Sequence, residues 1–377
     1  MHKVSAVECK TYDEKEVRKA VEKAIEDIGF KIKMGSKVLL KPNVLMGAKP
    51  EKAITTNPAI IDAVCTILEK HKCEILIGES SGVVKEGGVL EAFEECGIAE
   101  AAKKHNAKLV SFGHEKIIKV ENEKAVFAKT MYLPKIFFDV DLIINLPKMK
   151  THALMLFTGA VKNLFGCIPG GRKQEYHAEA NTKEKFANLL LDIWQNVKPQ
   201  LSIMDGIEGM DGNGPSNGNV VSPNLILASD NAIALDIVAE KIVGFEGEVL
   251  TNRFAVKRGL INKEEIKHGE LPSFKFRKPS TAASAMPSWL SGYFLKKGKA
   301  YPVIDKKKCR NCKTCVNVCP VQAMKMEGYP ECDKKKCITC YCCQEMCPYD
   351  AIQLKRSFLF SAAMGFYYRI MDLMKKK

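Results

Sequence analysis

Val38-Leu39-Leu40-Lys41-Pro42-Asn43, then Pro58 to Lys70, then Ile75-Leu76-Ile77 decide the fold class of most of this chain. Val38-Leu39-Leu40 is a short, wholly apolar run, as expected of a strand covered on both faces. Asn57 can cap a helix, Pro58 suits its first turn, and Ile60, Ile61, Val64, Ile67 and Leu68 form a helical stripe. Ile75-Leu76-Ile77 is a second strand. Strand, helix and strand with apolar strands predict a parallel pair.

The same alternation extends outward. Leu142-Ile143-Ile144, Leu201-Ser202-Ile203-Met204 and Leu225-Ile226-Leu227 predict strands. Helices are expected over Val89 to Cys96 and at about 153–165, 183–195 and 231–243. Residues 113–135 suit a small antiparallel insertion. The expected architecture is α/β over 1–270, a mainly parallel sheet with helices on both faces.

Polar sets follow the strands: Lys41-Pro42-Asn43, Gly78 to Gly82, Asn145 to His152, Asp205 to Gly209, and Ala228-Ser229-Asp230. Ligands of open α/β sheets sit at strand carboxyl ends, so all five are expected to converge. Taken singly, each set also reads as an ordinary turn. Lys148-Met149-Lys150-Thr151-His152 is the densest, and Thr158 and Lys162 are expected to share a helix face. Arg172, Lys173 and His177 follow closely.

This concentration of cations suits an anionic small molecule. Lys148, His152 and His177 are the candidate catalytic groups, with His152 or His177 the expected proton donor. Lys41, Asn43, Lys150, Thr151, Thr158, Lys162, Asn163, Asp205 and Asp236 are the candidate binding residues. Asp205 and Asp236 also leave a divalent cation open. The Gly/Asn-rich stretch Gly206–Gly218 is expected to be a lid. Gly166-x4-Gly171-Arg172-Lys173 lacks the Gly-Lys-Ser/Thr of a phosphate loop, and no G-x-G-x-x-G or G-x-S-x-G is present. No flavin motif is visible, which leaves a flavin requirement undecided.

Ten of the 15 cysteines lie between Cys309 and Cys347. Cys309-x2-Cys312-x2-Cys315-x3-Cys319-Pro320 is repeated as Cys337-x2-Cys340-x2-Cys343-x3-Cys347-Pro348. Three thiolates at this spacing wrap one corner of a cubane, and the fourth crosses to the other cluster. Cys309, Cys312, Cys315 and Cys347 are therefore assigned to one [4Fe-4S] cluster, and Cys337, Cys340, Cys343 and Cys319 to a second. A zinc ribbon would leave the third Cys and the Cys-Pro without a role. Cys332 and Cys342 fit no ligand slot. The chain opens without a secretory signal, so a cytoplasmic, reducing setting is expected.

Residues 301–355 resemble the two-cluster bacterial-type ferredoxins, a resemblance that implies one-electron transfer at low potential. Lys41-Pro42-Asn43, Leu146 to His152, Thr158 to Gly166 and Asp230 to Asp236 resemble the family called domain of unknown function 362, whose members are often fused to such a ferredoxin. That family supplies no established reaction.

Residues 271–377 hold 21 Lys/Arg against 7 Asp/Glu, a net of +14, while the first 270 residues are neutral. No recognition motif accompanies the charge, so nucleic acid is not the expected partner. A redox partner protein is. Residues 271–300 read as a basic, Pro-containing linker and 356–377 as an amphipathic basic tail helix. That tail is too short and too charged to span a membrane, and suits peripheral contact through 357–377 at the inner face or docking on protein. The leading expectation is an iron–sulfur redox protein whose two clusters pass single electrons to an α/β domain binding an anionic substrate or partner cofactor. The alternative is a non-catalytic electron carrier whose α/β domain recognises a partner.

Overall fold

Strand and helix alternate through the first part of the chain much as the apolar runs predict. The structure is a computed structural model that describes residues 1–80, 88–281 and 299–355. It divides into two units, Met1–Pro279 and Ser280–Lys377. The first unit begins with β1 (His2–Glu8), α1 (Glu14–Ile28), β2 (Lys37–Pro42), α2 (Pro58–Lys70) and β3 (Glu74–Glu79). Next come α3 (Gly88–Glu95), α4 (Ile98–Lys104) and β4 (Lys108–Ser111). Strands β5 (Ile117–Glu121) and β6 (Thr130–Pro134) form a separate antiparallel ribbon. Beyond it lie β7 (Leu142–Leu146), β8 (Lys148–His152), β9 (Leu156–Thr158) and α5 (Ala160–Asn163). Then follow α6 (Gly170–Glu179), α7 (Lys183–Val197), β10 (Leu201–Asp211) and β11 (Asn219–Val221). The unit closes with β12 (Leu225–Ser229), α8 (Ala232–Ile242), α9 (Leu250–Lys257) and β13 (Ile266–His268).

The main sheet runs β13-β1-β12-β10-β7-β2-β3-β4. From β4 to β10 every pairing is parallel. Strand β12 runs antiparallel to both β10 and β1. The apolar runs are continuous because both faces are covered: Val38, Leu40, Ile75 and Ile77 join one core cluster, and the alternate residues Leu39 and Leu76 are buried on the other side.

Four expectations are corrected. The helix expected at 153–165 is the β8–β9 hairpin followed by the short α5 and a 3-10 turn, Leu164–Cys167. Lys148, Lys150 and His152 of that hairpin are strand residues buried against neighbouring elements, which a polar sequence reads as loop. The Gly206–Gly218 lid is strand as far as Asp211, paired with β12 and β8. Beyond Asp211, Thr151 Oγ1 donates to the Gly212 carbonyl at 2.9 Å. The linker expected from residue 271 starts later, because Phe276 is buried and Arg277 pairs with Asp211 at 3.0 Å within the first unit. Of the five polar sets, the one after β12 lies at the opposite end of the strands, since that strand is antiparallel; Asp230 there meets His2 Nδ1 at 3.1 Å.

The second unit is α+β and duplicated. Strand β14 (Tyr301–Ile304) pairs with β17 (Ile352–Lys355), and β15 (Met324–Glu327) with β16 (Tyr329–Cys332). Short helices span Thr314–Asn317 and Cys342–Glu345. Residues 301–304, 314–317 and 324–327 thus recur at 329–332, 342–345 and 352–355, an offset of 28. The expected tail helix and most of the expected linker lie outside the described residues. Among the described residues no helix is long and apolar enough to cross a membrane.

Asp13 caps α1 by accepting from the Lys15 and Glu16 amides, and Gly29 ends that helix in the left-handed conformation. Asp13→Ala is expected to lower unfolding stability by about 1 kcal/mol. Urea unfolding of the full chain checks this.

Candidate functional site

The carboxyl ends of β2, β3 and β7 and the middle of β10 bring charge into the interior. Lys41, at the end of β2, is fully buried and donates to Glu79 at the end of β3 at 2.6 Å. Glu79 also accepts from the Ser80 amide at 2.8 Å and the Val44 amide at 3.3 Å. Gly166 is required here: a Cβ would lie 2.2 Å from the Glu79 carboxylate and 2.6 Å from Lys41 Nζ. Asn163 ties the cluster together. Its Oδ1 accepts from Asn43 Nδ2 at 2.9 Å, and its Nδ2 donates to Asn145 Oδ1 at 2.8 Å.

A second pair lies beside it. Lys148 Nζ donates to Asp205 at 2.8 Å and to the Tyr12 hydroxyl at 2.7 Å, and both charged side chains are fully buried. Asp205 also accepts from Tyr12 Oη and the Asn57 amide, each at 2.9 Å. The two clusters are joined through Thr56, whose hydroxyl donates to the Leu146 carbonyl and accepts from the Asn43 amide. Burial and the Asp205 charge push the Tyr12 phenol well above its ordinary value, so it remains a neutral donor.

Lys41, Asn43, Asn163, Lys148 and Asp205 are therefore gathered as expected, but both lysines are matched to internal carboxylates. Lys150 Nζ donates to the Ile54 carbonyl at 2.6 Å, and Thr158 lies opposite Lys150 across the β8–β9 hairpin. Thr158 belongs to a strand and Lys162 to α5, so the two do not share a helix face. Asp236 stands apart: it accepts from the Ala160 amide at 2.5 Å and the Val161 amide at 2.9 Å, capping α5. Burial raises its carboxyl to about 7. With Asp205 and Asp236 engaged in this way, the two do not form a cation site. Among the described residues no group of three or more His, Cys, Asp or Glu is arranged around a single metal ion.

The histidines differ most from expectation. His152 Nδ1 accepts from the Leu154 amide at 3.0 Å, so that nitrogen is unprotonated. Burial, with the charges of Lys162 and Lys150, holds His152 well below the ordinary imidazole value. His177 stacks on Phe186 at 4.7 Å and meets Phe165 edge-on at 5.0 Å. Burial, with Lys162 and Lys173, pulls it down to about 3. Both shifts disfavour the protonated imidazole near pH 7, which counts against either histidine as the expected proton donor. Lys173, whose ammonium donates to the Ser80 carbonyl, is lowered by burial to about 8.

Glu79, Tyr12 and Asn145 are parts of the site that the sequence reading did not assign. Glu79 had one signal, an acid closing an apolar strand. Tyr12 had none, since it joins the site from the turn before α1.

In the second unit two cavities are each lined by four of the eight cysteines assigned as ligands. One is lined by Cys309, Cys312, Cys315 and Cys347. The other is lined by Cys319, Cys337, Cys340 and Cys343, with Cys332 also on its wall. The fourth cysteine of each run thus crosses to the other cavity. Backbone amides point at the sulfurs: Ala323 N lies 3.1 Å from Cys319 Sγ, and Ala351 N and Thr339 N lie 3.4 Å from Cys347 and Cys337. A four-thiolate lining, amide donors and apolar walls fit a [4Fe-4S] cubane.

Comparison with known proteins agrees with this division. The family profile described as domain of unknown function (DUF362) matches residues 38–241, and that of the 4Fe-4S binding domain matches residues 302–325. A thylakoid-associated protein of Synechocystis sp. is 30% identical over 268 residues, covering 68% of this chain and 78% of that protein. The lactate racemase apoprotein of Thermoanaerobacterium thermosaccharolyticum superposes with a TM-score of 0.42 at 13% identity. That superposition covers 65% of this chain and 58% of the racemase.

Removing one partner of a buried ion pair strands the other. Lys41→Met is expected to cost about 3–5 kcal/mol of unfolding stability, and Lys41→Met with Glu79→Gln to recover part of it. Denaturant titration of both variants checks this. His177 gives a pH test. The unfolded imidazole takes a proton near 6.5 and the folded one near 3. Its contribution is complete above about pH 6.5 and is lost as pH falls toward 3. His177→Phe keeps the aromatic stacking and should show a smaller fall in urea midpoint from about pH 7 to about pH 5 than the parent chain.

Proposed function

This chain belongs to the domain of unknown function 362 family and carries a 4Fe-4S binding domain, and on that premise we propose that it is an electron-transfer protein with two [4Fe-4S] clusters serving an anion-binding α/β unit. The observation that carries the proposal is the crossed pair of four-cysteine cavities. Cys309, Cys312, Cys315 and Cys347 would hold one cluster, and Cys337, Cys340, Cys343 and Cys319 the other. When bound, such clusters store and pass single electrons at low potential. The chain's own contribution is to exclude water with apolar walls and to aim amide N–H groups at the ligand sulfurs, which favours the more negative, reduced state.

In the α/β unit burial, with the charges of Lys162, Lys150 and Lys183 at His152 and of Lys162 and Lys173 at His177, depresses both imidazoles. That positive field supports an anionic ligand near the β8–β9 hairpin. A second reading also has an observation in its favour. Lys41 and Lys148 are matched by Glu79 and Asp205 and both imidazoles are neutral, which suits a non-catalytic unit that recognises a redox partner. The thylakoid association of the Synechocystis relative supports peripheral membrane contact.

Anaerobic reconstitution of the full chain should incorporate about eight irons, four for each cubane. Cys309→Ser should leave about four, and adding Cys347→Ser should change nothing further, because both serve one cluster. Pairing Cys309→Ser with Cys319→Ser should remove nearly all iron. Two irons or fewer in the parent protein, or zinc in their place, would contradict the proposal.

A further inference from the structure

The two four-cysteine sites are related by the 28-residue repeat, yet they present different surfaces. In the first, Arg310 and Lys313 flank Cys312; all three are exposed, and all three line the cavity. At the equivalent positions of the second, Ile338 and Tyr341 flank Cys340; Tyr341 is buried, and Ile338 and Cys340 are half-buried. Among the described residues Cys312 is the one exposed cysteine. The lysine turn does not separate the sites, since Lys306-Lys307-Lys308 before the first recurs as Lys334-Lys335-Lys336 before the second. The difference is confined to the loop over the ligands. Two acids lie nearby: the Asp305 carboxylate accepts from the Lys307 amide, and Asp350 pairs with Lys308 at 2.9 Å.

Electron exchange between proteins weakens steeply with distance, so it favours the ligand nearest solvent. A cationic rim recruits a partner of opposite charge and orients it. We infer that the Cys309/Cys312/Cys315/Cys347 site is the port of this protein, and that an acidic one-electron carrier protein docks over Arg310 and Lys313. The second site, under Ile338 and Tyr341, exchanges electrons with such a carrier through the first. In each transfer the reduced carrier loses one electron and the first site gains one. No bond forms or breaks and no proton moves. The inference rests on the two-cluster reading above.

The test uses the full, anaerobically reconstituted chain and a reduced plant-type [2Fe-2S] ferredoxin, an acidic carrier, as the probe in stopped flow. Arg310→Glu with Lys313→Glu should slow electron transfer about tenfold at low salt and flatten its salt dependence. Lys335→Glu with Lys336→Glu, the same charge change beside the second site, should stay within about twofold of the parent rate. Equal losses in both variants, or no salt dependence in the parent, would overturn the inference. Should the glutamate pair lose iron, Arg310→Gln with Lys313→Gln carries the same comparison with a smaller expected loss. Iron content, measured before the probe is added, separates the two claims. About eight irons with no asymmetry between variants defeats the port alone, and a markedly lower count in the parent defeats the two-cluster reading.

Discussion

A charge removed from water has to be compensated where it lies, and both units of this protein are organised around that constraint. In the first unit two lysines enter the interior at strand ends, and each meets a carboxylate within 2.8 Å. Neighbouring choices follow from those pairs. Gly166 has no side chain because the Lys41–Glu79 pair occupies that space. Asn145, Asn163 and Asn43 satisfy the polar groups around the first pair, and Tyr12 closes the second. In the second unit thiols are among the buried groups, and burial pushes Cys315 up to about 11 and Cys343 well above its ordinary value. Holding four of them as thiolates in one apolar cavity requires a multivalent cation, and a cubane of iron supplies it.

This constraint also changes how the basic composition is read. The net charge of +14 suggests a broad cationic surface, whereas Lys41 and Lys148 of the α/β motifs lie inside, paired with Glu79 and Asp205. The positive charge available to a partner is concentrated in the second unit, in two lysine turns one repeat apart. In the first unit cationic character is local to buried His152 and half-buried His177, and burial with the nearby lysines holds both imidazoles below their ordinary value. Anion binding, as proposed for that region, does not by itself supply an acid for catalysis.

The parts legible in the sequence are those with a period or a ligand spacing. Val38-Leu39-Leu40, Ile75-Leu76-Ile77 and Leu142-Ile143-Ile144 read as parallel strands because they are buried on both faces. The cysteine runs were legible down to the crossing of Cys319 and Cys347, because cubane geometry leaves few arrangements. What was missed has physical causes. Strand β8, Lys148 to His152, is mostly polar and charged yet buried, and Lys148 and Lys150 meet partners 57 to 136 residues away, so no hydropathy pattern marks it. The direction of β12 depends on pairing, which its apolar run does not encode. Glu79 and Tyr12 reach the site by tertiary contact alone.

The central claim is that the crossed cysteines hold two [4Fe-4S] clusters close enough to act as one electron relay. Electron paramagnetic resonance of the fully reduced, reconstituted chain tests it most directly. The account predicts about two spins per chain, in a spectrum broadened by magnetic coupling between neighbouring centres. A sharp, uncoupled signal of about one spin per chain, unchanged by complete reduction, would contradict it.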